Sequence, residues 1–87
     1  MTQQEFEKIF EETVRVNQTN GFFKGLQIIY KYIKDRKDII TGAEHDVVYS
    51  VDVDDLLNED IRIEDTIELA KLGWLVDVEE GWLFYDV

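Results

Sequence analysis

Apolar residues recur at helical spacing in three parts of the chain. Between Thr2 and about Asn17 they follow one another at intervals of three and four, and most charged residues lie off that stripe. Thr2 followed by Glu5 has the pattern of a capping box, which predicts that the first helix begins there. The same spacing predicts a second helix over about 22–37 and a short third helix over about 64–72.

The second predicted helix is apolar on more than one side and contains Gly25. A glycine inside a helix costs about 1 kcal/mol relative to alanine. We therefore expect another element to approach the helix closely at Gly25. The helix also carries the basic cluster of the chain, which we interpret as complementing the helix dipole and neighbouring acids. Its members are Lys24, Lys31, Lys34, Arg36 and Lys37.

Residues 47–53 alternate as a β-strand, with one apolar face and one mainly polar face that we expect to meet water. The apolar face would consist of Val47, Tyr49, Val51 and Val53, and the polar face of Val48, Ser50 and Asp52. Residues 38–46 before the strand are predicted to form a loop that turns at Gly42. The acidic stretch 52–60 after it is predicted to form a turn or one helical turn, with Leu56 and Leu57 packing inward.

The last fourteen residues predict a β-hairpin. With Glu79, Glu80 and Gly81 as a three-residue loop, Val78 faces Trp82 across the strands. One face would hold Trp74, Val76, Val78, Trp82 and Phe84, and the other Leu75, Asp77, Leu83, Tyr85 and Val87. Both faces are largely apolar, so each must be covered, either by the chain's own helices or by another molecule.

These elements predict one α+β domain over residues 1–87. Two N-terminal helices would pack on a small three-stranded, mainly antiparallel sheet, with one short crossover helix and the C-terminal hairpin. A winged helix is the alternative topology, with the hairpin as its wing. Its recognition helix would be 64–72, which carries three acids and one lysine, so we do not expect it to enter a DNA groove.

Acidic residues dominate the charge, which is −11 overall and unevenly spread. Residues 44–87 carry fourteen acids and two bases, a net −12, whereas 18–43 carry +3. Such a chain repels phosphate backbones, so direct nucleic-acid binding is not expected. An acidic surface can also serve solubility alone. The chain has no cysteine, and its N-terminal residues resemble neither a signal peptide nor a membrane span, so we expect a cytoplasmic protein.

Ligand-type side chains cluster only at Glu44, His45 and Asp46. Adjacent residues of an extended segment point in opposite directions, so at most two of them could reach one ion. The acidic run from Asp52 has leucine where a calcium loop needs an oxygen ligand and glycine. No nucleophile with a base, glycine-rich phosphate loop or metalloprotease pattern is present. We therefore predict no catalytic residue, metal or cofactor, and expect His45 to anchor its loop.

These observations favour a non-enzymatic protein that binds another protein with a basic surface. The expected contacts are acidic, with three apolar neighbours on the hairpin. They are Asp52, Asp54, Asp55, Glu59, Asp60, Glu64, Asp65, Glu68, Glu79, Glu80, Leu75, Leu83 and Tyr85. The alternative is a structural module that forms a homodimer through the hairpin. A metal-binding protein or an enzyme that uses His45 is a less favoured alternative.

Three short segments, GLQIIYKY, AEHDVVY and LGWLVDVEEGW, resemble small acidic proteins encoded in phage-type genomes. The similarity covers residues 22–87 and transfers neither a function nor a site. Small acidic phage-type proteins often resemble inhibitors of host nucleic-acid enzymes, and some such inhibitors present carboxylates where a partner expects phosphates. This wider similarity adds one hypothesis, that the protein inhibits a host or defence nucleic-acid-binding protein by mimicking phosphate or DNA.

Overall fold

The computed structural model describes residues 1–16, 18–34 and 38–86, and these residues form an α+β fold, as predicted. The helices are α1 (Gln3–Glu12), α2 (Gly21–Tyr32), α3 (Val53–Asn58) and α4 (Ile63–Lys71), and the strands are β1 (Gly42–Glu44), β2 (Val47–Asp52), β3 (Leu75–Val76) and β4 (Trp82–Asp86). The strands form one antiparallel sheet in the order β1-β2-β4-β3. The sheet thus has one strand more than predicted.

The helices pack on one face of this sheet, and the core lies between the two layers. Its largest fully buried side chains come from every part of the fold. They are Trp74, Phe6, Ile29, Leu56, Leu69 and Leu83. The inward packing of Leu56 and the partial burial of Leu57 agree with the prediction for the segment that forms α3.

Helix α1 begins as predicted and ends earlier. Thr2 Oγ1 accepts a hydrogen bond from the Glu5 N–H at 3.2 Å, and the Thr2 N–H donates to Glu5 Oε1 at 2.8 Å, which completes the capping box. After Glu12 the backbone is extended, and the Val16 N–H donates to the Lys71 carbonyl at the end of α4. Tertiary pairing therefore ends the helix, and Val14 is left 81% exposed. The predicted boundary at Asn17 lies outside the described residues.

Gly25 lies directly against the indole of Trp74. A Cβ built on Gly25 would overlap the Trp74 ring, so the predicted close approach is confirmed. The Trp74 Nε1–H also donates to the Gly21 carbonyl at 3.2 Å, which satisfies the polar edge of a buried indole. Trp74, which precedes β3, is thereby held against the first turns of α2. That helix ends at Tyr32, before the predicted end at 37, and residues 35–37 lie outside the described part of the chain.

Strand β1 corrects the prediction of a loop over 38–46. Gly42, Ala43 and Glu44 pair with Tyr49, Val48 and Val47, and the turn between the strands is only His45 and Asp46. Glycine, alanine and glutamate are depleted in strands, so this stretch carried no local strand signal. These residues form a strand because they can pair with the edge of β2.

The C-terminal hairpin forms with a register one residue away from the prediction. The loop has four residues, 78–81, because the Asp77 N–H donates to the Trp82 carbonyl. Leu75 therefore faces Phe84, and Val76 faces Leu83. Because side chains alternate along a strand, a shift of one residue regroups both faces of the hairpin. Gly81 has the predicted left-handed conformation, with φ of 81°.

Over residues 47–50 the faces of β2 are also reversed relative to the prediction, whereas Val51 is buried as predicted. Val48 lies opposite Tyr85 on the core side, and Ser50 is fully buried, whereas Tyr49 lies beside Phe84 on the outer side. The Ser50 hydroxyl donates to the Ile39 carbonyl, which makes its burial possible. An irregularity between Tyr49 and Asp52 shifts the register and lets Val51 also enter the core.

The order α2, β2, α3, α4 and hairpin is compatible with the winged-helix alternative as well as with the plain α+β description. Helix α4 spans Ile63–Lys71, close to the predicted range, and Gly73 follows it with φ of 98°. Of the helices in the described part of the chain, none has the length and apolar content needed to cross a membrane.

Replacing Gly25 with alanine tests the packing of Trp74. An exposed glycine in a helix gains stability on mutation to alanine, but here the new methyl group must displace a buried indole. We expect G25A to lower the free energy of unfolding by about 1–3 kcal/mol, the usual cost of overpacking a core. Urea denaturation followed by tryptophan fluorescence measures this change.

Gln27, an exposed residue of the same helix, provides the matched control. We expect Q27A to change the free energy of unfolding by less than about 0.5 kcal/mol, as is usual at exposed positions. A G25A variant as stable as the unmodified protein would contradict the assigned packing.

Candidate functional site

Four acidic residues predicted to contact a partner line one small cavity. The Val53 N–H, at the start of α3, donates to the Gly81 carbonyl at 2.8 Å and ties the hairpin loop to this helix. Asp52 and Asp54 from the start of α3 thereby come together with Glu79 and Glu80 from the loop. They line a cavity of about 150 Å³, which we call the acidic cavity. Within the described residues, no ion pair involves Asp54, Glu79 or Glu80.

Two of the predicted acids on α4 are paired within the fold. Asp65 accepts from Lys31 Nζ at 3.0 Å and from the Tyr32 hydroxyl, and both donors belong to α2. Glu64 pairs with Arg62 at 2.8 Å on the surface. Neither residue lines the acidic cavity. The predicted acidic contact surface is therefore divided, and its α4 part is partly neutralised by a lysine of α2.

The remaining predicted acids have different surroundings. Asp52 and Asp55 form a capping box at the start of α3, in which the Asp52 N–H donates to Asp55 Oδ2 at 3.3 Å. Glu59 and Asp60 are exposed beyond the end of α3, and Glu68 is half-buried on α4. Asp52 and Asp55 thus contribute to the fold, whereas Glu59 and Asp60 are accessible to a partner.

The contacts between α2 and Asp65 change the acid–base properties of both side chains. Burial acts to raise the pKa of Asp65, but the hydrogen bonds from Tyr32 and Lys31 outweigh it and hold that pKa below its usual value. Burial, followed by the bond to Asp65, raises the pKa of Tyr32. The Tyr32 hydroxyl in turn accepts from the Arg62 N–H at 3.2 Å, so it joins α2 to the start of α4.

The three apolar residues predicted to contact a partner differ in accessibility. Leu75 is 41% exposed, whereas Leu83 is fully buried in the core, so its assignment to a contact surface is wrong. Tyr85 is half-buried against Phe22 and Trp74, with the Arg15 guanidinium 5.9 Å from its ring centre. The register shift of the hairpin explains Leu83, because it turns this side chain towards the helices. Val87, predicted for the same face, lies outside the described residues.

The outer face of the sheet carries a row of side chains on the side opposite the helices. Strand pairing aligns Leu75, Phe84, Tyr49 and Gly42 across all four strands. The rings of Tyr49 and Phe84 are 6.1 Å apart, and Trp82 lies on the same face as Phe84, two residues along β4. These rings are half-buried and stand outside the core cluster. The face therefore presents aromatic surface to solvent.

A second cavity, of about 270 Å³, opens on this face. Tyr49 and Trp82 supply its aromatic walls, and Asp77 and Glu80 supply carboxylates. Thr41 and Gly42 complete the lining. We call it the aromatic cavity. Since Glu80 lines both cavities, the two are adjacent.

Tyr49, Asp77 and Trp82 were not predicted as site residues, because the predicted register of the hairpin and the predicted face of Tyr49 in β2 were both wrong. Asp77 is the residue of the sequence from which the correct register could have been predicted. Its Oδ1 accepts from the N–H groups of Glu79 and Glu80 at 3.0 and 3.1 Å, the usual role of an aspartate that opens a turn. Starting the turn at Asp77 predicts the four-residue loop and places Trp82 on the outer face.

His45 occupies the tight turn between β1 and β2. It has a left-handed backbone, with φ of 47°, and Glu44, His45 and Asp46 are all exposed. Over the residues that the structure describes, no group of three or more histidine, cysteine or acidic side chains is arranged to hold a metal ion. In the structure His45 forms part of the turn that joins β1 to β2.

Comparison with known proteins adds no relative. The chain matches no protein-family model, and neither a curated protein nor a solved structure matches it significantly.

Asp65→Asn tests the link between α4 and α2. A carboxylate with a lowered pKa stabilises the fold above its unfolded-state pKa, and this contribution is lost as the pH falls through the folded-state value. At pH 7 we expect D65N to lower the free energy of unfolding by about 1 kcal/mol, after allowance for the exposure of Lys31. The difference in stability between D65N and the unmodified protein should shrink as the pH falls below 3.8, the usual pKa of an aspartate side chain. Urea denaturation at several pH values measures it.

The neighbouring Glu64 is the control, because its partner Arg62 is exposed and their ion pair is screened by solvent. We expect E64Q to have almost no effect at any of these pH values. Equal effects of D65N and E64Q at pH 7 would contradict a structural role for Asp65.

Proposed function

We propose that this protein is a non-enzymatic module that binds another protein with a basic surface. The supporting observation is the acidic cavity, where α3 and the hairpin loop bring carboxylates together. Asp54, Glu79 and Glu80 are exposed there, so a basic partner can reach them. Complementary charge speeds the encounter of two proteins and selects against partners of the wrong sign.

The outer face of the sheet supports a protein partner over a small ion. Interfaces between proteins are enriched in tyrosine, tryptophan and phenylalanine at their centres, with polar residues around them. Here Tyr49 and Trp82 line the cavity adjacent to the acidic cavity, and Phe84 and Leu75 extend the apolar row. An aromatic surface bordered by carboxylates suits a partner that is both basic and partly apolar.

Mimicry of DNA is the specific form of this proposal. Proteins that bind nucleic acids present lysine and arginine to phosphates, and an acidic protein can occupy the same surface. The net charge of −12 over residues 44–87 and the resemblance to small acidic phage-type proteins support it. The protein would then inhibit a host or defence protein by excluding its nucleic acid.

A homodimer is the second candidate, favoured by the exposure of Leu75 in the apolar row of the outer sheet face. In a twofold dimer the same patch meets itself. Asp77, Glu80 and Asp86 would then approach their own copies, and like charges at an interface oppose association. The charge of the face thus favours a different protein as the partner. A monomer by light scattering at all practical concentrations would exclude the homodimer.

Affinity capture with charge variants tests the proposal. The tagged protein would be used to capture its partner at about 50 mM and about 200 mM salt, since salt screens exposed charges. We expect recovery to fall several-fold at the higher salt and to fall further for a D54N/E79Q/E80Q variant. Excess duplex DNA should release the captured partner if DNA and the acidic protein bind the same surface of that partner.

The matched control removes the same number of charges elsewhere. Glu7, Glu11 and Glu12 lie on α1, and none of them lines the acidic cavity. The E7Q/E11Q/E12Q variant should recover the partner as well as the unmodified protein does. Equal recovery at both salt concentrations, or equal losses for the two variants, would refute binding through the acidic cavity.

A further inference from the structure

We propose that the aromatic cavity binds the guanidinium group of an arginine side chain. This inference rests on the proposed function, because the arginine would belong to the basic partner. Tyr49 and Trp82 line the cavity together with Asp77 and Glu80, so two aromatic side chains and two acidic side chains surround the same space. Aromatic rings attract cations through their negative faces, and carboxylates accept hydrogen bonds from guanidinium nitrogens. The four side chains therefore supply both kinds of contact.

The size of the cavity fits one side chain. Its volume of about 270 Å³ lies below the roughly 300–1,000 Å³ typical of sites for drug-sized ligands. It is also open to the surface of the sheet, so a side chain on another protein can enter. Among cationic side chains, the planar guanidinium stacks on aromatic faces and is more weakly hydrated than an ammonium group. Arginine is thus a better fit than lysine.

The backbone holds the cavity walls in place before any ligand binds. Asp77 Oδ1 is bound by the N–H groups of Glu79 and Glu80, and the Asp77 N–H donates to the Trp82 carbonyl at 2.9 Å. Tyr49 lies against Phe84 in the neighbouring strand. A site formed in advance loses less entropy when it binds its ligand.

Gly42 keeps the cavity open. It lies directly opposite Tyr49 in the sheet, and a Cβ added there would meet Tyr49 Cδ2 at 3.9 Å, an ordinary contact distance. The backbone at Gly42 is not left-handed, so a larger residue can be accommodated in the strand. A side chain at this position would therefore cover the Tyr49 ring without removing any charge or aromatic group.

Adjacent cavities define how a basic segment would lie on the surface. Glu80 separates the aromatic cavity from the acidic cavity, which Asp54 and Glu79 also line. A segment with an arginine in the aromatic cavity would pass over the hairpin loop. Its next basic residues would then meet the acidic cavity. The aromatic cavity supplies the selectivity for arginine that scattered carboxylates lack.

Nuclear magnetic resonance of the whole chain tests the assignment with a defined probe. The probe is a blocked Gly-Arg-Gly peptide, and its neutral counterpart contains citrulline, which keeps the shape of arginine without the charge. The chain has two tryptophans, and their indole N–H signals report separately. We expect arginine peptide to shift the Trp82 signal in the millimolar range, with about tenfold weaker binding of the citrulline peptide.

The Trp74 indole is an internal reference, because it is buried and bound to the Gly21 carbonyl. Its signal should stay in place throughout the titration. No shift of the Trp82 signal, an equal response to citrulline, or an equal response to a Gly-Lys-Gly peptide would overturn the assignment.

Two variants of the chain sharpen this test. G42I should weaken binding of the arginine peptide about tenfold by covering Tyr49, although it changes no charge, and E80Q should weaken it about threefold. E11Q, on α1, is the charge-matched control and should bind as the unmodified protein does. The folded state of each variant is confirmed by the unchanged Trp74 signal. A G42I protein that is folded and binds normally would overturn the assignment.

The outcomes separate this inference from the proposed function. If the peptide does not bind while D54N/E79Q/E80Q still reduces salt-sensitive capture of the partner, the arginine assignment fails and the proposed function stands. If the peptide binds but capture is insensitive to salt and to the charge variants, the proposed function fails. The aromatic cavity then remains a site for arginine.

Discussion

The structure depends on the packing of the Trp74 indole against Gly25. Trp74 is 1% exposed, its ring occupies the space that a side chain at Gly25 would need, and its N–H is satisfied by the Gly21 carbonyl. Phe22 stacks on the same indole with ring centres 5.7 Å apart. One side chain therefore determines how close α2 comes to the hairpin. Such close packing tolerates little change in volume on either side.

This contact also determines which face of the sheet is left open. Side chains alternate along a strand, so a core position for Trp74 places Val76 on the same side and turns Leu75 outward. Strand pairing then places Phe84 and Tyr49 on the same outer side of the sheet as Leu75. The aromatic outer face is thus a consequence of how the core is packed. Its aromatic residues lie where the helices do not reach, and this leaves them available to a partner.

Local patterns predicted the parts of the fold that local interactions control. The capping box at Thr2, the close approach at Gly25 and the glycine after α4 each express a rule that acts within a few residues. The register of the hairpin and strand β1 depend on partners that are distant in sequence. The alternation of apolar and polar residues could not distinguish a loop of three residues from one of four. This difference of one residue in loop length determines whether Leu83 lies in the core or on a contact surface.

The same distinction separates the acidic residues by role. Composition predicts a strongly acidic C-terminal half, but only the fold shows that Asp65 binds Lys31 and Tyr32 while Glu79 and Glu80 remain at the surface. The Asp65 side chain is only 18% exposed and its charge is compensated by Lys31, so presenting that charge to a partner would carry a cost. Exposed carboxylates on a loop held by Asp77 carry no such cost. Exposed carboxylates therefore lie at the hairpin loop, beside the aromatic face, and also at Glu59 and Asp60 beyond α3, whereas Asp65 is held within the fold.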